Sequence, residues 1–147
     1  MSKDLKTRIE SYLESHSICT VATVDGDKPH ASAVEYVNAG TTLYFMTFPK
    51  SHKTQNMRAN PAVAITVNES VLDMRGTQGI QYYGKAMIVE DADVAEKARK
   101  MFLHKFILFG LIGWDLKKAL FVEVTPERID FIDYKKKFGH KDILTEF

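Results

Sequence analysis

Cysteine is almost absent from this chain: Cys19 stands alone. One cysteine excludes an internal disulfide framework and any zinc site built on cysteine pairs. It fits a reducing compartment, so a cytoplasmic location is expected. Charge of one sign is missing too. Twenty basic and nineteen acidic residues leave a net charge of +1. No global field recruits nucleic acid or an anionic membrane surface, and neither is expected as a partner. Long apolar runs are absent. The most apolar stretch, residues 106–114, is far short of a membrane span. The first sixteen residues are too charged for a signal peptide. The five histidines, His16, His30, His52, His104 and His140, form no His-x-His or His-Glu-x-x-His pair, so no metal site is expected. There is no Gly-x-Ser-x-Gly elbow and no phosphate-binding glycine loop. Side-chain catalysis therefore has little to stand on.

What remains is an ordinary globular composition, 45% hydrophobic and 27% charged over 147 residues. That is enough for one domain, expected over residues 1–147, with a core of its own. Residues 3–15 carry Leu5, Ile9, Tyr12 and Leu13 on one helical stripe. From Ser17 the pattern turns to strands. Residues 17–24 are β-branched and apolar on both faces, which predicts a strand buried on both sides. The turn Asp25-Gly26-Asp27-Lys28-Pro29 leads into a strand over 30–37. A third strand is expected over 41–48. These three form an antiparallel meander. Further strands are expected over 62–68 and 80–90, the latter interrupted by Gly84, which marks a bulge or a close backbone approach. A helix capped by Asp91 or Asp93 runs to about His104. Two last strands, 119–124 and 128–134, are separated at Thr125-Pro126. About seven mostly antiparallel strands with few helices predict a mainly β protein, a closed or split β-barrel with flanking helices.

The informative stretch is Thr47 to Pro61. Ser51 is a good helix N-cap, Lys53 lies in the first turn and Pro61 forces an end. Free N–H groups at such a helix start, with the helix dipole behind them, make a seat for an anion. An ordinary capped helix with a solvated basic end fits the same residues. On the second strand, Ala31, Ser32 and Ala33 are small and leave room for something flat against the backbone, or for close packing of another element. A ligand seat without a nucleophile or an acid–base pair suggests a cofactor that carries the chemistry itself.

The sequence of elements also resembles a known family. Asp25-Gly26…Pro29-His30, Leu43-Tyr44-Phe45-Met46-Thr47, Ser51-His52-Lys53-Thr54, Asn60-Pro61 before a buried strand, and Gly84-Lys85-Ala86 are similar to the FMN-binding split-barrel superfamily of pyridoxamine 5′-phosphate oxidase. The similarity spans roughly residues 10–134. It implies bound FMN, a homodimer with two flavins at the interface, and a flavin-dependent oxidoreductase acting on a small-molecule substrate or redox partner. The alternatives are a flavin electron-transfer or binding protein without turnover, or a split barrel holding haem or a deazaflavin. Carried over by position, the resemblance puts the flavin along Ser32, Ala33, Val34 and Glu35, with Met46 and Thr47 on its other side. It puts the phosphate at His52 and Lys53 with Ser51 and Thr54 beside them. It offers Gln78 or Gln81 as a flavin contact and Trp114 as an interfacial residue.

The departures are equally specific. Ser32 replaces an arginine of the oxidase, His52 replaces the arginine of a Ser-Arg-Lys form, and Val37 replaces a substrate-binding lysine. The C-terminal arginine–histidine motif is not recognisable. Oxidation of pyridoxamine phosphate is therefore not expected, and phosphate binding should lean on Lys53 and backbone N–H groups.

Overall fold

The structure is a computed structural model that describes residues 2–71, 73–107 and 118–147. The first helix, α1, spans Ser2–Ser15. Strands β1 (Ile18–Asp25), β2 (Lys28–Ala39) and β3 (Thr42–Thr47) follow as the expected antiparallel meander. Helix α2 (His52–Ala59) leads to β4 (Ala62–Asn68) and β5 (Gln78–Ile88). Helix α3 spans Ala92–Lys105 and is capped by Asp91, whose carboxylate accepts from the N–H groups of Asp93 and Val94. Strands β6 (Leu120–Asp133) and β7 (Lys141–Leu144) complete the chain.

The strands run in the order β3-β2-β1-β4-β5-β6-β7, and β3 also pairs with β6. Six antiparallel strands thus close into a barrel, and β7 lies outside it on the second half of β6. The interior holds Val21, Tyr36, Phe45, Ile65, Tyr82, Val124 and Phe131, all nearly inaccessible. Closure removes most of the edges that an open sheet of this length would expose.

The helices plug the barrel ends. Leu5, Ile9, Tyr12 and Leu13 of α1 join the interior, as their stripe predicts. The Tyr12 hydroxyl donates to the Gln78 carbonyl at 2.9 Å and the Tyr36 hydroxyl to the Leu13 carbonyl at 2.6 Å, fixing α1 over one end. At the other end α2 inserts Met57 into the same core. Asn56 of α2 donates to the buried Thr23 hydroxyl of β1 at 3.0 Å. Helix α3 covers a different surface. Its Ala98 and Phe102 pack on Val37 of β2 and Tyr44 of β3, outside the barrel.

Three expectations are corrected. Strand β1 is buried on one face only: Cys19, Val21 and Thr23 point inward, while Ile18 is 60% exposed. The two strands expected at the C-terminal end are one strand, β6, which runs through Thr125-Pro126. Its inward residues are Val122 and Val124 before that point and Ile129 and Phe131 after it. Such a change of parity requires one extra residue, and the β5–β6 register shifts at Tyr83/Gly84. Gly84 is needed there, because a Cβ on it would stand 2.3 Å from the Thr125 carbonyl oxygen. Finally, the seventh strand is β7, in a segment that carried no strand expectation. The connection expected over 106–114 lies mostly outside the described residues.

Candidate functional site

The start of α2 is built from hydroxyls. Ser51 has extended backbone angles, as an N-cap requires, and its side chain accepts from the Thr54 N–H. Thr47, at the end of β3, lies 2.9 Å from the Ser51 hydroxyl and 2.7 Å from that of Thr54. Ser51 and Thr54 are 2.7 Å apart. The Thr54 hydroxyl also donates to the Phe48 carbonyl at 2.7 Å. Each hydroxyl has a single proton, and that of Thr54 is committed to Phe48. Two protons then serve three contacts, so the Ser51 hydroxyl can turn to an outside acceptor while Thr47 keeps Thr54 satisfied. Thr47 and Thr54 are buried, so the triangle is rigid, and Ser51 is its half-exposed corner. Lys53, also half-exposed, forms no ion pair among the described residues.

The barrel is open beside this turn. Strand β2 pairs with β1 from Lys28 to Glu35 but with β3 only from Tyr36 to Ala39. Past Phe45, β3 leaves β2 while its other edge stays paired with β6 from Leu43 to Thr47. The Lys28–Glu35 half of β2 therefore has a second edge that no strand covers among the described residues. Register fixes which groups lie there. Asp25 and Lys28 flank a two-residue turn and form a hydrogen-bonded pair, and the Tyr36 N–H donates to the Ser17 carbonyl. Even-numbered residues between them thus bond β1, and Ala31, Ala33 and Glu35 turn their N–H and C=O groups to the open edge. Pro29 has the same parity, so its missing N–H costs the β1 ladder nothing.

Side chains alternate in the same way. Ala31, Ala33 and Glu35 are exposed, while His30, Ser32 and Val34 turn toward the interior. Two polar atoms on that inner side are buried without a partner among the described residues, the Ser32 Oγ and the His30 Nδ1. His30 also touches α2, its ring centroid 4.5 Å from that of His52. His52 Nε2 in turn lies 3.1 Å from Asp25 Oδ2 at the β1–β2 turn. His52, Asn56 and Asn60 of the α2 region and Asp25 of the turn share a cleft of about 410 Å³.

The other residues singled out by the sequence fall in two groups. Met46 packs beside Val37 and Phe102 under α3. Glu35 is exposed on the open face opposite Ile18. The two glutamines part company. Gln78 is engaged at the α1 end of the barrel, where its Nε2 donates to Asp133 at 3.1 Å. Gln81 pairs with Thr66 across the β4–β5 ladder, on the same outer sheet face as Ala33. Trp114 lies outside the described residues. A larger cleft, about 950 Å³, separates α3 from β2 and is lined by Val37, Asn38, Met101 and Lys105. It lies along the far half of β2 from the α2 turn, and its size alone does not make it the anion seat. His30 belongs to the Pro29-His30 motif of the resemblance but is not among the contacts that the resemblance implies. Its signal was faint: a histidine two residues before Ser32 on the same face of one strand.

Two groups near the site are set by burial. Desolvation pushes the Cys19 thiol up to about 12, so it is unreactive at neutral pH. Burial also holds the Lys105 ammonium below its usual range. Lys105 donates to the His16 carbonyl and lies 4.4 Å over the Tyr36 ring.

With this geometry in hand, comparison with known proteins places the chain. A family model described as Pyridoxamine 5′-phosphate oxidase matches residues 5–133. General stress protein 26 of Bacillus subtilis is 26% identical over 135 residues, 92% of this chain and 93% of that protein. The solved General Stress Protein 26 from Bacillus anthracis is 24% identical with a TM-score of 0.74, covering 97% of this chain and 98% of its own. Two more distant structures share the fold. One is an FAD-binding protein from Mesorhizobium loti (18% identity, TM-score 0.70, 85% and 90% coverage). The other is HutZ, the heme storage protein from Vibrio cholerae (19%, 0.68, 84% and 90%). The chain belongs to the pyridoxamine 5′-phosphate oxidase family.

Proposed function

We propose that this protein binds FMN in the opening between β2 and β3 and serves as a flavin-dependent oxidoreductase. One observation carries the reading: an uncovered strand edge that ends at a capped helix start. The backbone groups of Ala33 and Glu35 offer donors and acceptors to a flat heterocycle. Alanine side chains leave its face unobstructed, and Ser32 and Val34 form the floor below. Met46 and Thr47 flank the opening from β3. Ser51 and Lys53 with the first N–H groups of α2 receive the phosphate, Thr54 holds Ser51 in place from below, and His52 adjoins them. The Ser32 Oγ supports the fit, since it is a buried hydroxyl that meets no partner among the described residues and a ligand could supply one. Gln78 is held at the α1 end, and Gln81, separated from β2 by β1 and β4, would meet a ring only from a second copy of the chain.

Bound FMN would supply one- and two-electron redox chemistry, and the chain itself would bind, orient and shield it. A second copy of the chain completes the site in this reading. The outer face of β1, β2, β4 and β5 is lined with small residues, Thr20, Ala33 and Thr66 among them. It also exposes Ile18 at 60%, Tyr83 at 42% and Met87 at 60%. Large apolar side chains on a flat small-residue sheet suit a subunit interface.

The test is the visible spectrum of the purified protein, with chromatography of the ligand released on heating. A flavin spectrum and released FMN are expected. A Soret band would transfer the chain to the haem binders of this fold, and a colourless protein that takes up no FMN would refute the reading. Anaerobic reduction by NAD(P)H with steady turnover of an added acceptor separates an oxidoreductase from a flavin carrier.

A further inference from the structure

We infer that His30 is a ligand-contacting residue of the anion seat, and that seating a phosphate there draws a proton onto the His30–His52 pair. The inference rests on the phosphate-bearing flavin proposed above. Its starting point is the buried Nδ1 of His30, which no described residue meets. The Ser32 Oγ, two residues along the same face of β2, is in the same condition. Two buried polar atoms on one strand face, beside the start of α2, call for an acceptor or donor that the described residues do not supply. Phosphate oxygens accept only, so both atoms must act as donors.

The second part follows from the neighbours. His30 and His52 are in ring contact at 4.5 Å. Asp25 of β1 lies 3.1 Å from His52 Nε2, which must carry a proton to bond it. The other charged residues of this region are Asp27 and Lys28 in the β1–β2 turn and Lys50 and Lys53 around the α2 start. An imidazole is the side chain whose charge ordinarily changes near neutral pH. Two adjoining imidazolium ions repel each other, and the carboxylate in contact, that of Asp25, meets His52 alone. A phosphate dianion between them and the helix start reverses that balance and favours the protonated pair. Anion binding and proton uptake are then linked, and the affinity for the anion falls as pH rises.

Full-length protein freed of ligand is titrated with FMN and with riboflavin at about pH 6.5 and about pH 8.5, on either side of ordinary histidine titration. Calorimetry in buffers of different ionisation enthalpy counts protons at the lower pH. FMN is expected to bind about tenfold or more weakly at the higher pH, the equivalent of one charge-assisted hydrogen bond, with net proton uptake. Riboflavin, which has no phosphate, should show no such slope. His30→Gln keeps an N–H donor without the charge and should flatten the FMN slope, and His52→Gln serves in its place if that variant does not fold. Equal FMN affinity at both pH values without proton uptake would overturn the inference while leaving the flavin reading intact. A matching slope for riboflavin would overturn it as well. Failure of FMN to bind at either pH would remove the flavin reading, and this inference with it.

Discussion

Replacing Gly84 by alanine tests the register on which the barrel depends. A Cβ at this position stands 2.3 Å from the Thr125 carbonyl oxygen and 3.1 Å from its carbonyl carbon. Both atoms are backbone, held in a strand that pairs with β5 from Gln78 to Ile88. Rotating a side chain cannot relieve the overlap, so β6 must shift at its bulge. Overpacking of this kind costs about 1–3 kcal/mol, and a backbone obstacle puts it at the upper end. Alanine recovers about 0.5–1 kcal/mol by restricting the unfolded chain. The net expectation is a loss of about 2 kcal/mol, a large share of the roughly 5–15 kcal/mol typical of a domain. Urea unfolding followed by circular dichroism reads it as a lower midpoint at unchanged slope. Gly26→Ala is the control. That glycine has φ +63° with nothing within 4 Å of the added Cβ, so only the left-handed conformation is penalised, by about 1–2 kcal/mol. Stability of Gly84→Ala within about 0.5 kcal/mol of the parent would refute the close approach and the register built on it.

Three more predictions bear on the site and its surroundings. Lys53→Ala should weaken FMN by about 1.5–3 kcal/mol in a fluorescence titration, and unchanged affinity would place the phosphate elsewhere. Cys19 should resist alkylation in the folded protein at mildly alkaline pH and react only on unfolding, because burial pushes its thiol up to about 12; fast labelling of the native chain would contradict that. Arg128 donates to Asp130 at 2.6 Å and Lys141 at 3.3 Å, and these bonds hold the Asp130 carboxyl below its usual range. The folded state therefore binds that proton less readily than the unfolded chain. The resulting stabilisation is present above the ordinary carboxylate pKa and is lost as pH falls through the lowered one. Asp130→Asn should remove this part of the acid dependence in urea midpoints measured across that range.

Much of the fold is visible in the sequence because local chemistry and tertiary demand agree. The α1 stripe, the Asp25-Gly26 turn, the Ser51 and Asp91 caps and the β4 limits all mark elements that the barrel keeps. β6 was harder to read, because Pro126 and a change of inward parity look like a break in the chain. Only the partner strand, with Gly84 opposite, shows that the extra residue is a bulge. Burial of β1 was misjudged for a related reason: a β-branched strand on an open sheet face looks the same as one buried on both sides. At the site, the start of α2 could be read from cap chemistry. The uncovered edge of β2 could not, since it depends on where β3 parts from β2 while staying paired with β6. Nor could His30, whose importance comes from an unpartnered nitrogen and a ring contact across the fold.

The most direct test of the account is a fluorescence titration of the ligand-free protein with FMN. The account predicts quenching or enhancement that saturates at one FMN per subunit, with riboflavin binding more weakly for want of the phosphate. No binding of FMN, or equal binding of FMN and riboflavin, would contradict it.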